Sequence, residues 1–252
     1  MKFLIIGEQC LDVFVYGKCD RLSPEAPVPV FIPITETVNR GMAGNVVENL
    51  KALKNKYGGK FQVDEWLCED EMVKKRYVDK KSNHIFLRVD FPDTCPKIVF
   101  TDKLIKKLRS SDIIIISDYN KGFLTDDDMF KIAEFSKQGS IIFVDTKRKL
   151  TRDLMLHLDY LKLNESESNQ LDPQILFYDR KIITTLGGKG AQYMNKKYLV
   201  DEVETIDVSG AGDTFLAALA YQYAKTRSIP KSIIFANKMA SLVVKKRGVS
   251  TI

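Results

Sequence analysis

The stretch Ser209-Gly210-Ala211-Gly212-Asp213 sets small residues directly before an acid, and an apolar run from Phe215 to Leu219 follows. Small residues let the main chain approach a ligand closely. A helix that starts here aims its unpaired N–H groups and its positive dipole end at the same spot. Together these make an anion hole with a carboxylate beside it. Two readings fit Asp213: it caps the helix, a common use of aspartate, or it is a base that takes a proton from a hydroxyl. Phosphoryl transfer needs such a base, donors for the charge on the moving group, and a cation on the nucleotide phosphates. Asp213 and the backbone of Gly210, Ala211 and Gly212 would supply the first two.

Other elements must place that helix. Residues 2–6, KFLII, read as a buried first strand ending at Gly7, followed by a polar turn that carries Asp12. Residues 13–38 are rich in proline and β-branched residues without helical period, and 73–90 read as a hairpin with Asn83 near its turn. The two segments are expected to form one β lid. A helix is expected over 43–56 from the spacing of Val46, Val47, Leu50 and Leu53. From residue 100 onward helices and strands alternate. Helices are expected at 101–109 and 126–137, the second opened by Thr125, and strands at 112–117 and 140–145, with further strands in DYLKL and KIITT. A hairpin at 191–204 and helices at 213–226 and 230–246 complete a doubly wound, mostly parallel α/β layout, with Pro230 in the first turn of the last helix. The expectation is a single domain over 1–252 with the lid attached.

Composition narrows the function. The 252 residues carry 39 basic and 33 acidic side chains, a formal charge of +6, and 44% of them are apolar. The basic residues are scattered and not interleaved with aromatics, so no nucleic-acid surface is expected. Cys10, Cys19, Cys68 and Cys95 lack the CxxC spacing or histidine neighbours of a zinc site, and no disulfide framework is indicated. The apolar start is too short for a signal-peptide core and no later stretch reaches the length of a membrane span. A cytoplasmic protein that does not bind membranes is expected.

In family terms, GAGDTF resembles the second signature of the ribokinase-type (PfkB) sugar kinases, and RGMAGNVVENLKAL resembles the first. The resemblance implies that Gly41, Gly44 and Asn45 approach the sugar, and that Asp12 and Asn45 hold its hydroxyls. LKLNESE is similar to the family's Asn-x-x-Glu element. By that likeness Asn164 belongs to the cofactor site and Glu167 acts indirectly on Mg2+. TTLGGKGA and FANKMASLVV resemble the segments lining the nucleotide pocket, which implies ATP-binding roles for Thr185, Gly187, Gly188, Gly190 and Asn237. ATP, Mg2+ and a monovalent cation are the implied cofactors. Each match has a structural counterpart: a turn before a helix at Gly41 and Gly44, a cap with its first-turn acid at Asn164 and Glu167, a hairpin turn at Gly187 to Gly190.

GKCDRLSPEAPVPVF, KSNHIFLRVD and SDYNKGFLT are similar to the branch that phosphorylates the anomeric hydroxyl of D-glycero-D-manno-heptose 7-phosphate, a precursor of lipopolysaccharide. No nucleotidyltransferase segment follows within these residues, so only the kinase half of the bifunctional members is expected. Arg88, Lys121 and Lys147 are candidates for the distal phosphate of such a sugar phosphate, against the alternative that they are solvated surface cations. A homodimer through the lid is implied. The alternatives are a PfkB-type kinase for another sugar or nucleoside, and a non-catalytic descendant that binds a nucleotide or phosphosugar. Two departures stand out. Residues 54–72 are shortened, as if a βα unit had been lost or reduced, and Met42 stands where the family has a small residue.

Overall fold

The computed structural model describes residues 1–69 and 72–252. Strand β1 (Lys2–Gly7) runs almost directly into β2 (Gln9–Leu22), which pairs antiparallel with β3 (Pro29–Met42). Helix α1 (Ala43–Tyr57) follows at once, and β4 (Gln62–Leu67) returns beside β1. The chain then forms β5 (Met72–Asp79) and β6 (Ile85–Phe91). Alternation follows through α2 (Asp102–Ser110), β7 (Ile113–Asp118), α3 (Asp126–Phe135), β8 (Ile141–Thr146), α4 (Arg152–His157), β9 (Tyr160–Asn164), α5 (Glu165–Ser168) and β10 (Ile182–Thr185). A hairpin of β11 (Ala191–Tyr193) and β12 (Lys196–Tyr198) precedes α6 (Ala211–Thr226) and α7 (Ile229–Val243).

The larger sheet has the order β12-β11-β10-β9-β8-β7-β1-β4 and is parallel from β10 to β4. Alternation along β1 builds both layers around it. Phe3 and Ile5 join the core shared with α1, α6 and α7, while Leu4 and Ile6 join the core under α2, α3 and α4. Strand order runs outward in opposite directions from the β1–β7 pair. The crevice at the carboxyl ends of these two strands is therefore a topological switch point, where open α/β sheets bind ligands. Threonine caps fix the helices on one face: Thr101, Thr125 and Thr151 each accept a hydrogen bond from the third residue of α2, α3 and α4, and Thr125 with Asp128 forms a full capping box.

The smaller sheet, β3-β2-β5-β6, is the expected lid. It reaches further toward the body than the sequence suggests. Asp12, expected in a turn, lies in β2 between Asn39 and Lys74, because pairing on both sides of the strand overrides the polar local signal. The shortened region keeps its strand: Gln62–Leu67 pairs parallel with β1 at the sheet edge, and β5 begins at Met72. Residues 70 and 71 of that region lie outside the described part. The last helix stops at Val243 rather than 246, the hairpin ends at Tyr198, and α6 begins at Ala211 rather than at the acid.

Candidate active site

Gly210, at φ +76°, turns the chain into α6 in the left-handed region, and a Cβ there would stand 2.6 Å from Asn45 Nδ2. Asp213 is thus the third helical residue rather than the cap, and the helix's own N–H groups use neither of its oxygens. Oδ1 accepts from the Tyr119 hydroxyl at 2.7 Å and Oδ2 from Asn45 Nδ2 at 3.2 Å. Burial pushes the Asp213 pKa up to about 6, and the charge of Asp145 adds to this, while the two donors and Lys162 oppose it. A carboxylate poised there can still accept a proton at neutral pH and is more basic than an exposed one.

Tyr119 stands just past the carboxyl end of β7 and is itself held. Its backbone N–H and that of Lys121 donate to the buried Glu8 carboxylate at 2.8 and 2.9 Å. Burial and the Asp118 charge raise the pKa of Glu8 against those two bonds. Asp118 in turn accepts from Thr146 Oγ1 at 2.6 Å and Arg148 Nε at 2.7 Å. The switch-point loop is thereby fixed to β1 and β8.

On the lid side of Asp213 lies a cavity of about 390 Å³, lined among others by Asp12, Lys74, Arg76, Arg88, Tyr119, Lys121, Lys147, Gly210 and Asp213. Asp12, Arg88, Lys121 and Lys147 from the sequence reading are therefore brought together. Asp12 is buried and bonded to Arg76 Nη1 at 2.5 Å. Gly41 is required beside it, since a Cβ would come within 2.0 Å of Asp12 Oδ2. Asn45 reaches Asp213 but, like Gly41 and Gly44, stands outside the cavity lining; Gly44 packs in the first turn of α1 against Arg40. Arg88 forks onto Asp90 with two bonds of 2.7 Å, Lys121 meets Asp93 at 2.5 Å, and Lys147 bridges Glu167 with Asp145 at 3.7 Å.

On the other side of the α6 start is a cavity of about 470 Å³ whose lining includes Thr185, Gly187, Gly188, Gly190, Ala211, Gly212 and Asn237. Asn237 donates to the Tyr198 carbonyl at 2.8 Å, tying α7 to the hairpin that forms one wall. Asn164 and Glu167 stand outside this lining and form a capping box for α5, so the local geometry expected of a cap is present. The same Glu167 carboxylate turns its other oxygen to Lys147. Close to Gly212 lies a buried pair, Lys162 Nζ to Asp145 Oδ2 at 2.6 Å, with Asp145 Oδ1 left without a hydrogen-bond partner. Tyr119, Arg76, Glu8, Asp145 and Lys162 were not singled out in the sequence. Tyr119 lies inside the motif SDYNKG, and its place at a strand end was the one available signal; Arg76 needed strand register.

The profile of the pfkB family carbohydrate kinases matches residues 99–252. Among curated proteins, the bifunctional protein HldE of Campylobacter fetus subsp. fetus is 31% identical over 98% of this chain and 64% of its own length; that of Nitratiruptor sp. is 29% identical over 99% and 63%. The chain thus spans just under two thirds of these relatives. Among solved structures, the ribokinase of Thermotoga maritima superposes with a TM-score of 0.70 at 18% identity, covering 98% of this chain and 94% of that one. The phosphofructokinase-2 of Escherichia coli, solved in complex with potassium, gives 0.70 at 14%, covering 98% and 93%. With a ribokinase-like fold and a family match over most of its length, the chain belongs to the pfkB family of carbohydrate kinases.

Proposed function

We propose that this kinase transfers the γ-phosphoryl group of ATP to the anomeric hydroxyl of a heptose 7-phosphate. The observation that carries the reading is Asp213, buried with a pKa of about 6 in the lining of one cavity and next in sequence to Gly212 in the lining of the other. The 470 Å³ cavity takes the nucleotide, with Gly187, Gly188 and Gly190 against its phosphates and Asn237 holding the wall. The 390 Å³ cavity takes the sugar. Asp12 and Asn45 orient its hydroxyls, and Asp213 accepts the proton of the attacking one. The Gly212 N–H at the start of α6 faces the charge that develops on the moving group, the Ala211 N–H being bonded to the Val208 carbonyl.

Magnesium fits the residues present. It keeps most of its waters and takes one or two protein carboxylates plus substrate phosphates, and Asp145, whose Oδ1 has the Lys147 ammonium at 3.7 Å but no hydrogen bond, and Glu167 are the carboxylates in place. When bound it would screen the charge of the nucleotide phosphates. A monovalent cation belongs to the same reading, with potassium dependence as its check. The lid leaves Ile34, Val38, Leu87 and Val89 exposed, and a second copy of the chain would cover them, giving a homodimer. No helix among the described residues is long and apolar enough to cross a membrane, and a cytoplasmic site of action is part of the proposal.

The test is ATP consumption by the purified protein with heptose 7-phosphate, the unphosphorylated heptose, ribose, fructose and adenosine. Preference for heptose 7-phosphate supports the reading. Preference for one of the last three moves the chain to another pfkB specificity, and turnover of none of them favours a binding protein. Sedimentation at micromolar concentration checks the dimer, which a clean monomer would refute.

A further inference from the structure

Three cations and two carboxylates face the cavity from the lid, and strand register decides which one is left over. Asn39 of β3, Asp12 of β2, Lys74 of β5 and Asp90 of β6 form one cross-strand row, and Arg76 stands directly opposite Arg88 in the next. Like charges in opposite positions repel unless each finds a counter-charge. Both arginines find theirs one row back: Arg76 at Asp12, 2.5 Å, and Arg88 at Asp90, 2.7 Å. This crossed pairing takes both carboxylates away from Lys74, the residue between them. Lys121 and Lys147 have carboxylates of their own. Of the five cations lining the cavity, Lys74 is, among the described residues, the one with no carboxylate within 4.0 Å. Its Nζ lies 5.0 Å from the centre of the Tyr119 ring, and Tyr119 is the residue that binds Asp213.

We propose that Lys74 is the specificity-determining residue for a phosphorylated acceptor: its ammonium receives the distal phosphate ester while the sugar ring lies against Asp12 and Asp213. Asp90 acts on the half-buried Lys74 ammonium only from beyond ion-pair distance, so a dianionic ligand in contact with it gains more than a neutral sugar does. Arg88, Lys121 and Lys147 each already have part of their charge neutralised by a carboxylate. The inference rests on the sugar-kinase reading above and adds the residue that sets its acceptor class.

The experiment compares kcat/KM for heptose 7-phosphate and for the same heptose without phosphate in the wild type, Lys74→Met and Lys74→Arg, with thermal melts of each. The wild type is expected to favour the phosphorylated sugar. Lys74→Met should lower that ratio by ~10- to 100-fold, the range for losing a hydrogen bond to a charged group, mainly through KM, and Lys74→Arg should keep most of it. Lys74→Gln, polar but uncharged, replaces the Met variant if that one does not fold. A Lys74→Met enzyme that loses rate equally on both sugars, or keeps the wild-type ratio, overturns the role of Lys74 while leaving the heptose kinase reading intact. A wild type that does not discriminate between the two sugars overturns both.

Discussion

The two cavities on either side of the α6 start are built in different ways. The proposed nucleotide side is rich in glycine and apolar residues, with Lys189, Asp201 and Glu202 at it, from the segments after β10, the start of α6 and α7. The acceptor side is made of long charged side chains delivered by lid strands that are separate in sequence. The contrast follows from what each must recognise. Phosphates common to every ATP are met by N–H groups that any backbone carries, provided no Cβ intervenes. A particular sugar requires particular donors and acceptors, and these come from side chains.

The sharpest test of that division is the group both halves share. Asp213→Asn should lower kcat by ~100-fold or more, the scale of a lost general base, while ATP still binds. The same change should stabilise the fold. Because the folded pKa of about 6 lies above the ordinary carboxylate value of 3.8, the wild type loses stability as pH rises through that window, and asparagine has no such charge to bury. Melting curves should therefore coincide near pH 4 and favour the variant at pH 7. A variant that unfolds, yet keeps its rate when folded, would make Asp213 structural.

Asp12→Asn should act on the acceptor half alone, lowering kcat/KM for the sugar by ~10- to 100-fold through lost charge-assisted bonds and leaving the KM for ATP unchanged. Equal effects on both substrates would erase the division. Gly190→Ala is the counterpart. The residue sits at φ +92° with Tyr198 O only 2.1 Å from a Cβ, so the wall must shift; ATP affinity should fall by ~10-fold, in line with about 1–3 kcal/mol of local strain, with the sugar KM unaffected.

The smallest change at pH 8 is expected for Tyr119→Phe. The tyrosine hydroxyl stabilises ionised Asp213, so removing it raises the carboxyl pKa further and moves the acid limb of kcat/KM to higher pH. The loss should be greatest near pH 6 and within ~3-fold at pH 8, as for a positioning residue whose base is then already ionised. An unmoved pH profile would remove Tyr119 from the proton-accepting unit.

Legibility in the sequence follows the same division. In GAGDTF the acid and its anion hole could be proposed from the residues alone; TTLGGKGA and FANKMASLVV came through family likeness, and the structure gathers residues of all three segments around one cavity. The alternating elements after residue 100 gave the sheet with only end corrections. Asp12 and Arg88 were reachable only through family likeness. Arg76 and Lys74 were not, because their meaning lies in which residues stand across from them on β2 and β6, and pairing register is absent from a linear string. The edge strand Gln62–Leu67 escaped for a related reason: its burial pattern is irregular, and its identity depends on β1.

One junction ties the acceptor side to the body. The chain enters the lid at Glu8, between β1 and β2, and leaves it again at the Met42–Ala43 link between β3 and α1, and the Ala43 N–H bonds the Glu8 carbonyl at 2.9 Å. Met42 holds φ +58° and ψ −135° while its side chain is buried, a posture that glycine adopts freely and methionine does not. The two crossings are thus stapled to each other at the root of β2 and β3. Asp12 and Gly41 sit within four residues of that staple, so a side chain at position 42 that relaxed the backbone would move the very residues that flank the acceptor cavity.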